Sequence, residues 1–245
     1  MKAQLGILAG GLGTRLRPLT EYVPKSMIMI EDKPFLQYQL ELLKKNGITD
    51  VVIIVGYLWQ QITDFVEDGS KFGLNIRCVF NKYSDALICL YNSRHLFADD
   101  FMVMYGDSYL DFNYPNLYNY HLQRAFMSDS ITAITMAVCK NYNSRYMNNV
   151  VLYKGGNSKI YYSKLGFENV SLIDYGISVW SKHLLDQFKS GIESEQLTLP
   201  ELYRVVSSAY MMDGVYIPDH FYEIGTPESL EEFKRFIHDR NENSV

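Results

Sequence analysis

The stretch that decides the fold reads Leu8-Ala9-Gly10-Gly11-Leu12-Gly13-Thr14-Arg15 and follows directly on an apolar segment at residues 5–9. Three glycines in four positions offer no side chains for a hydrophobic core. Glycine lets the backbone turn sharply and approach a ligand with free N–H groups, an arrangement that holds phosphate groups. Arg15 adds a positive charge. The stretch predicts a phosphate-binding loop after a first strand, and the alternative is a simple tight turn.

Two other glycine-rich phosphate loops do not fit this stretch. A Walker-type loop ends in Gly-Lys-Ser/Thr, and no such triplet follows Gly13. A dinucleotide-binding loop needs a third glycine near position 16 and then an uninterrupted helix. Position 16 is leucine, and Pro18 and Pro24 interrupt any helix before residue 26. We therefore expect an irregular path that carries Lys25 back over the ligand site.

The composition is that of a globular protein with a substantial core. The chain has 245 residues, of which 47% are hydrophobic and 21% charged, which suits one large or two small domains and excludes disorder. A net charge of -5 without a block of like charges predicts neither nucleic acid nor membrane as a partner. No apolar stretch approaches the ~20 residues of a membrane span. The three cysteines are widely spaced and odd in number, which favours a reduced cytoplasmic location over disulfides or zinc.

Strand-length apolar runs alternate with helical patterns through the first half of the chain. The predicted strands cover residues 5–9, 51–55, 76–80, 101–105 and 131–138. The predicted helices cover residues 35–46, with Gly47 as the stop, and residues 59–67. This alternation predicts an α/β fold with a Rossmann-like, mostly parallel mixed sheet and helices on both faces.

The second half has a different pattern. Shorter strands are predicted at residues 150–153, 160–162 and 173–180, with a turn at Gly155-Gly156-Asn157. These strands predict a small antiparallel lobe that faces the substrate. A last helix is predicted at residues 227–239, with Thr226 as its N-cap and Pro227 at its first position. We treat the chain as a single domain.

Further motifs join the glycine-rich loop, namely Pro24-Lys25 and Gly106-Asp107. Together they resemble the signature of the sugar-1-phosphate nucleotidylyltransferases, which join an NTP and a sugar 1-phosphate to give an NDP-sugar and pyrophosphate. The resemblance extends over nearly the whole chain. It is greatest to the D-glycero-D-manno-heptose 1-phosphate guanylyltransferase branch, through residues 33–40, 105–110, 173–176 and 221–225. It implies the nucleotide-diphospho-sugar transferase fold, with a nucleotide-binding half (1–140), a sugar-phosphate-binding half (141–225) and a C-terminal helix (226–245).

The resemblance also implies roles for individual residues. Arg15 would be catalytic by contacting the departing pyrophosphate, and Lys25 by lying near the α-phosphate. Asp107 and Glu223 would hold Mg²⁺, although the family more widely has Asp at the second position. The alternatives are a common Gly-Asp turn and an acidic residue that merely precedes a helix. The nucleotide would be bound by Leu8, Ala9, Gly10, Gly11, Gly13, Thr14, Arg15 and Gly106.

Four residues are implied to bind the sugar phosphate. Lys164 resembles the lysine that holds the phosphate, and Asp174, Tyr175 and Gly176 would face the sugar hydroxyls. The alternatives are a surface lysine and a structural hydrogen-bond network around Asp174.

One segment departs from the heptose branch. That branch carries a second glycine-rich segment, whereas this chain has Tyr83-Ser84-Asp85-Ala86-Leu87-Ile88-Cys89-Leu90-Tyr91-Asn92, without glycine. Asn81 and Leu90-Tyr91 resemble the residues of the corresponding segment in cytidylyltransferases that act on phosphocholine and related small phosphates. Glycines let a base lie against the backbone, whereas Leu87, Ile88 and Cys89 either bring side chains into that space or turn the segment into a continuous helix. Either change would narrow a purine pocket towards a pyrimidine pocket.

Three functions therefore stay open. GTP with a heptose 1-phosphate comes first, CTP with a sugar phosphate or another small phosphate comes second, and a catalytically silent nucleotide-binding regulator comes third. The oligomeric state is open, with a homo-oligomer as one option.

Overall fold

The computed structural model describes residues 3–83, 85–126, 132–141, 146–153, 158–168 and 170–242. The strands are β1 Gln4–Ala9, β2 Met29–Ile30, β3 Lys33–Pro34, β4 Asp50–Val55, β5 Asn75–Phe80, β6 Asp100–Tyr105, β7 Ser108–Tyr109, β8 Ile134–Lys140, β9 Val150–Leu152, β10 Ile160–Tyr162, β11 Leu172–Ser181, β12 Met212–Tyr216 and β13 Tyr222–Glu223. The helices are α1 Phe35–Lys45, α2 Trp59–Val66, α3 Ala86–Ser93, α4 Tyr114–Phe126, α5 His183–Gln187, α6 Lys189–Glu193, α7 Leu199–Ser208 and α8 Pro227–Glu242. The predicted turn at 155–157 lies outside the described residues.

A mixed central sheet organises the molecule. Within the described residues its order is β10-β9-β11-β6-β1-β4-β5, and β8 joins β11 to β12. The β6-β1-β4-β5 part is parallel, whereas β11 runs antiparallel to β6. The predicted mostly parallel α/β sheet is therefore confirmed. The antiparallel strands β9 and β10 continue this sheet at its edge, and two-stranded antiparallel pairs join β7 to β13 and β2 to β3.

Both faces of the sheet are covered, and the sequence of β4 shows why. Val51, Ile53 and Val55 belong to one buried cluster, which includes residues of α1, α2 and α4. Val52 and Ile54 belong to another, which includes residues of α3 and α7. Successive side chains of a strand point to opposite faces, so a continuous apolar run is stable only between two layers of helices.

Local capping signals in the sequence determine where several helices begin and end. Gly47 has a φ of 72°, the left-handed conformation that ends α1. The Thr226 hydroxyl accepts a hydrogen bond of 3.2 Å from the Ser229 N–H, which caps α8 as predicted. The sequence analysis did not identify α7, although a capping box formed by Thr198 and Glu201 marks its start.

The described part of the chain contains no helix with the length and apolar character needed to span a bilayer.

Candidate active site

A cavity of about 390 Å³ opens where β1, β4 and β6 end. The chain goes from β1 to β4 on one side and returns to β6 on the other, and such a change of direction leaves a crevice at the carboxyl ends of the strands. All residues predicted to bind the nucleotide line this cavity: Leu8, Ala9, Gly10, Gly11, Gly13, Thr14, Arg15 and Gly106. We call it the nucleotide cavity.

The glycine-rich loop presents backbone donors to this cavity. Gly13 has a φ of 62°, and the Thr20 hydroxyl donates a hydrogen bond of 2.8 Å to its carbonyl. Within the described part of the chain, the N–H groups of residues 11–15 have no protein acceptor. Free N–H groups in a glycine-rich loop form a concave anion-binding surface. As the prolines predict, the chain follows an irregular path after the loop. Two short 3-10 turns, Thr14–Leu16 and Lys25–Met27, interrupt this path.

Lys25 and Asp107 form a close ion pair at the floor of the nucleotide cavity. The distance from Lys25 Nζ to Asp107 Oδ2 is 2.6 Å, and the two side chains are 13% and 32% exposed. Arg15 also lines the cavity and has no ion-pair partner among the residues that the structure describes. The two predicted catalytic cations therefore have different environments, one paired with a carboxylate and one without an acidic partner.

The pair β7 and β13 brings Asp107 and Glu223 together. Glu223 is in register with Ser108, and the Ile224 N–H donates a hydrogen bond of 2.9 Å to the Asp107 carbonyl. Buried Gln39 of α1 holds this turn by donating to the carbonyls of Tyr105 and Ser108 at 3.0 and 2.8 Å. The sequence analysis placed Gln39 only in the helical pattern.

Glu223 is held beside Arg15. Its Oε1 accepts a hydrogen bond of 3.1 Å from the Tyr146 hydroxyl. A Cβ atom at Gly225 would collide with the Glu223 carboxylate and would lie 3.1 Å from Arg15 Nη2. A side chain at position 225 would therefore have to displace the Glu223 carboxylate from its place beside Arg15.

A second cavity of about 310 Å³ adjoins the first. Both are lined by Arg15, Tyr105 and Asp107, so they meet at these residues. Asp174, Gly176 and Glu223 line only the second, which we call the acceptor cavity. Its wall also includes four aromatic side chains that the sequence analysis did not assign to the site, those of Tyr105, Tyr146, Tyr162 and Phe221.

Asp174 is held rigidly in the wall of the acceptor cavity. Its Oδ2 accepts a hydrogen bond of 2.9 Å from the Tyr105 hydroxyl, and its Oδ1 accepts one of 2.8 Å from the Gly176 N–H. Burial raises the pKa of Asp174 to about 6, although both hydrogen bonds act in the opposite direction. No lysine or arginine among the described residues forms an ion pair with it.

Part of the nucleotide cavity is lined by the segment that departs from the heptose branch. The Asp85 carboxylate accepts a hydrogen bond of 2.8 Å from the Leu87 N–H and caps α3, so of the two predicted alternatives the helix is present. The side chains of Ala86 and Cys89 on this helix line the cavity together with Tyr83. Burial raises the pKa of the Cys89 thiol to about 11, which leaves it neutral.

Two residues predicted to bind the sugar phosphate do not line either cavity. Tyr175 is fully buried in the layer beneath the sheet, where its hydroxyl donates to the His220 carbonyl at 3.1 Å. Neighbouring residues of a strand point to opposite faces, so Asp174 and Gly176 reach the cavity and Tyr175 does not. Lys164 is exposed in a turn near Glu201 of α7, whose pKa is lowered mainly by hydrogen bonds from Thr198 and to a smaller extent by the charge of Lys164. The assignment of both residues to substrate binding stays a prediction.

The fold and the paired cavities define an α/β protein with a nucleotide-type phosphate loop at the edge of its sheet. The chain belongs to the nucleotidyl transferase family, whose model matches residues 6–240.

Several curated relatives carry this similarity. The chain is 43% identical over 122 residues to a choline-phosphate cytidylyltransferase from Streptococcus pneumoniae, a match that covers 49% of each chain. It is 29% identical over 208 residues to a UTP–glucose-1-phosphate uridylyltransferase from Synechocystis, of which it spans 52%. The chain thus spans about half the length of these two relatives. A D-glycero-alpha-D-manno-heptose 1-phosphate guanylyltransferase from Campylobacter jejuni is 26% identical over 228 residues, with 93% of this chain and 96% of the relative covered.

Solved structures give the same fold. The CTP:phosphocholine cytidylyltransferase of S. pneumoniae has a TM-score of 0.71 at 27% identity, with 97% of this chain and 100% of that chain covered. HddC from Yersinia pseudotuberculosis has a TM-score of 0.73 at 19% identity and covers 96% of this chain and 99% of its own. The predicted family and fold are therefore confirmed.

Proposed function

We propose that the protein transfers a nucleotidyl group from an NTP to the phosphate of a small phosphate ester and releases pyrophosphate. The observation that carries this proposal is the junction of the two cavities at Arg15, Tyr105 and Asp107. One cavity has the free N–H groups that suit a triphosphate, and the other has room for a small acceptor. Two reactants held in adjoining cavities react as if they were one molecule.

The chemistry needs no covalent intermediate on the protein. An oxygen of the acceptor phosphate attacks the α-phosphorus of the NTP, and the bond from that phosphorus to the bridging oxygen of the β-phosphate breaks. The bond electrons leave with pyrophosphate. Arg15 contacts the departing pyrophosphate, where negative charge accumulates, and Lys25 lies near the α-phosphate. Such transfers are accelerated mainly by positioning and charge neutralisation.

Asp107 and Glu223 would hold a magnesium ion. Both are oxygen donors that line the acceptor cavity, and Asp107 also lines the nucleotide cavity. Mg²⁺ in nucleotide enzymes is commonly bound by one or two carboxylates together with substrate phosphates. No group of three or more acidic, histidine or cysteine ligands occurs in the described ranges, so substrate phosphates would have to complete the coordination of the ion. When bound, the ion would neutralise charge on the phosphates.

We propose CTP as the preferred nucleotide. Asn81 is 8% exposed in the wall of the nucleotide cavity, and its Oδ1 accepts a hydrogen bond of 3.1 Å from the Tyr83 N–H. This bond determines which half of the amide is the oxygen, so the free half is the Nδ2 donor. Cytosine offers two adjacent acceptors, O2 and N3, to such a donor, whereas guanine places two donors on the corresponding edge. Ala86 and Cys89 further narrow this end of the cavity. The cytidylyltransferase relatives support the same choice.

GTP with a heptose 1-phosphate is the second candidate. The relative of that function aligns with 93% of this chain and 96% of its own length, whereas the 122-residue match covers 49% of each chain.

The test is a matrix of ATP, CTP, GTP, UTP and dTTP against a panel of phosphate esters, with pyrophosphate release and product mass as readouts. A CDP product that dominates under competition among the nucleotides supports the proposal. A dominant GDP-sugar would replace it with the second candidate. Nucleotide binding without pyrophosphate release from any pair would favour the catalytically silent regulator.

A further inference from the structure

Gln39 is a polar residue on the buried face of α1. The other residues that α1 buries are apolar or aromatic, and Gln39 itself is 1% exposed. Its Nε2 donates two hydrogen bonds, to the carbonyl of Tyr105 at 3.0 Å and to that of Ser108 at 2.8 Å. These two carbonyls flank Gly106-Asp107. A single amide group therefore bridges both ends of the turn that carries a proposed magnesium ligand.

The other half of the Gln39 amide makes no comparable contact. Its Oε1 is buried and accepts no hydrogen bond from any residue that the structure describes. A primary amide has two N–H donors, and here both serve the turn. Among the described residues, the hydrogen bonds of this side chain are thus directed to one place, the turn at residues 105–108.

The same turn is fixed at its two central residues by backbone hydrogen bonds. The Gly106 N–H donates to the carbonyl of Leu8 in β1 at 3.1 Å, and the Ile224 N–H donates to the Asp107 carbonyl at 2.9 Å. Residues 105–108 are therefore bonded to α1, to β1 and to the residue that follows β13. The backbone of the turn is held from three directions.

The Asp107 side chain, by contrast, has little support of its own. It is 32% exposed, and among the described residues its carboxylate bonds only to Lys25. A metal ion at Asp107 would compete for that contact. The position of the carboxylate then depends on the backbone that carries it, and Gln39 is the buried side chain that holds this backbone.

We propose that Gln39 is a positioning residue, whose amide fixes the turn at residues 105–108 so that Asp107 presents its carboxylate to magnesium in one orientation. The inference rests on the proposed function and assigns a role to a residue that need not touch substrate or ion. Mg²⁺ tolerates little deviation from its preferred geometry. Groups that orient a metal ligand commonly contribute 10–100-fold in metal affinity, on the order expected here.

The first test measures metal binding without turnover. Mn²⁺ stands in for Mg²⁺ and is titrated by electron paramagnetic resonance, in the presence of α,β-methylene CTP or α,β-methylene GTP. Gln39→Met keeps the approximate length of the side chain and removes both donors. We expect the affinity for Mn²⁺ to fall by about tenfold or more, because the carboxylate is no longer held in one orientation.

Steady-state kinetics supply a readout that a loss of stability alone would not produce. In Gln39→Met we expect kcat to fall by about 30-fold and the half-saturating magnesium concentration to rise. KM for the nucleotide at saturating magnesium should stay within about twofold, since Gln39 forms its hydrogen bonds with the turn and not with the glycine-rich loop. In an Asp107→Asn background, Gln39→Met should change kcat little, because the residue acts through that carboxylate.

Two further variants serve as controls. Gln37→Met is the same substitution on the same helix, at a residue whose amide donates to Glu41 on the surface, and it should leave every value unchanged. Gln39→Asn keeps the amide but is too short to reach both carbonyls. It is a milder change that should lower the Mn²⁺ affinity less, and it replaces Gln39→Met if the melting temperature shows that the latter does not fold.

The outcomes separate this inference from the proposed function. An unchanged Mn²⁺ affinity in the folded Gln39 variant would overturn the positioning role. An equal loss of kcat in the wild-type and Asp107→Asn backgrounds would overturn it as well, since the effect would then not pass through Asp107. The absence of pyrophosphate release from every pair of substrates would refute the proposed function, whereas the Mn²⁺ titration would still decide whether Gln39 orients the metal ligand.

Discussion

Lys25 Nζ lies 2.6 Å from Asp107 Oδ2, so the lysine that we propose to act on the α-phosphate is paired with a carboxylate that we propose to bind magnesium. The two residues are 82 positions apart in the chain. The pair connects the loop after β1 with the end of β6. A magnesium ion bound at Asp107 would therefore compete with Lys25 for the same carboxylate, and phosphate groups would offer the lysine another partner.

Replacing Lys25 tests this competition. In Lys25→Met we expect kcat to fall by about 100-fold, because a cation near the reacting phosphate is lost. The half-saturating magnesium concentration should fall at the same time, since Asp107 no longer has a competing cation. Both are measured by pyrophosphate release over a magnesium titration. Lys33→Met is the control, since Lys33 pairs with Glu41 on the surface of α1 and should leave both values unchanged. A higher magnesium requirement in Lys25→Met would contradict the competition.

Replacing Asp107 tests the metal assignment. Asp107→Asn keeps the shape of the side chain but removes a charged ligand, and we expect activity to fall by about 100-fold or more. Its melting temperature should stay close to that of the wild type, because the side chain is 32% exposed. Chelation of the wild-type protein should stop turnover, and added magnesium should restore it. Full turnover in the presence of a chelator would show that no metal is needed.

Replacing Asn81 tests the choice of base. Asn81→Asp retains the oxygen that accepts from the Tyr83 N–H, so the loop keeps its conformation, but it removes the Nδ2 donor. We expect KM for CTP to rise by about tenfold, because a buried hydrogen bond is lost and a carboxylate faces the acceptors of cytosine. Steady-state kinetics with CTP and GTP measure the change. A parallel loss for both nucleotides would indicate a structural effect rather than base recognition.

The pH dependence of stability tests the environment of Asp174. Its pKa is raised to about 6 in the folded protein, so the folded state binds a proton more tightly than the unfolded state does. The contribution of Asp174 to the free energy of unfolding is therefore fully present below about pH 4 and is lost as the pH rises through about 6. Between these two pH values the free energy of unfolding should fall by about 2 kcal/mol. This value follows from the rise in the pKa of Asp174 from 3.8 to about 6, reduced because solvent partly reaches the side chain.

Asp174→Asn should lose this contribution. Burial raises the pKa of four groups near Asp174 above their ordinary values, so these four do not titrate between pH 4 and 7: Tyr105, Tyr162, Tyr203 and Cys139. Arg15, Asp107 and Glu223 line the same cavity and are present in both proteins, so the comparison with the variant subtracts their contribution. Urea unfolding of the wild type and the variant at pH 4.5 and pH 7.5 isolates the carboxylate. We expect the wild type to lose stability relative to the variant as the pH rises. The opposite trend would contradict the buried, uncompensated state of Asp174.

The sequence by itself determined the elements that depend on near neighbours. The apolar runs of β1, β4, β5 and β6, the left-handed Gly47 and the Thr226 cap act over a few residues, so they can be identified in the linear order. The phosphate loop followed from the same kind of signal, because glycines directly after a strand specify both a backbone shape and a place at the edge of the sheet. The segment 83–92 lacked that signal, and a helix was one of two arrangements that its side chains allowed; the structure has a helix at Ala86–Ser93.

The tertiary structure decided which distant residues share a cavity. Lys25 reaches Asp107, and Glu223 aligns with Ser108, through strand and loop pairings that join opposite ends of the chain. Tyr146, Tyr162 and Phe221 form one aromatic wall, although no local pattern marks them as neighbours. Tyr175 does not line the acceptor cavity, because the alternation of β11 directs it into the core, where its ring packs against Phe221. Such pairings depend on the summed packing of the whole sheet, whereas helix caps and strand patterns depend only on contacts within a few residues.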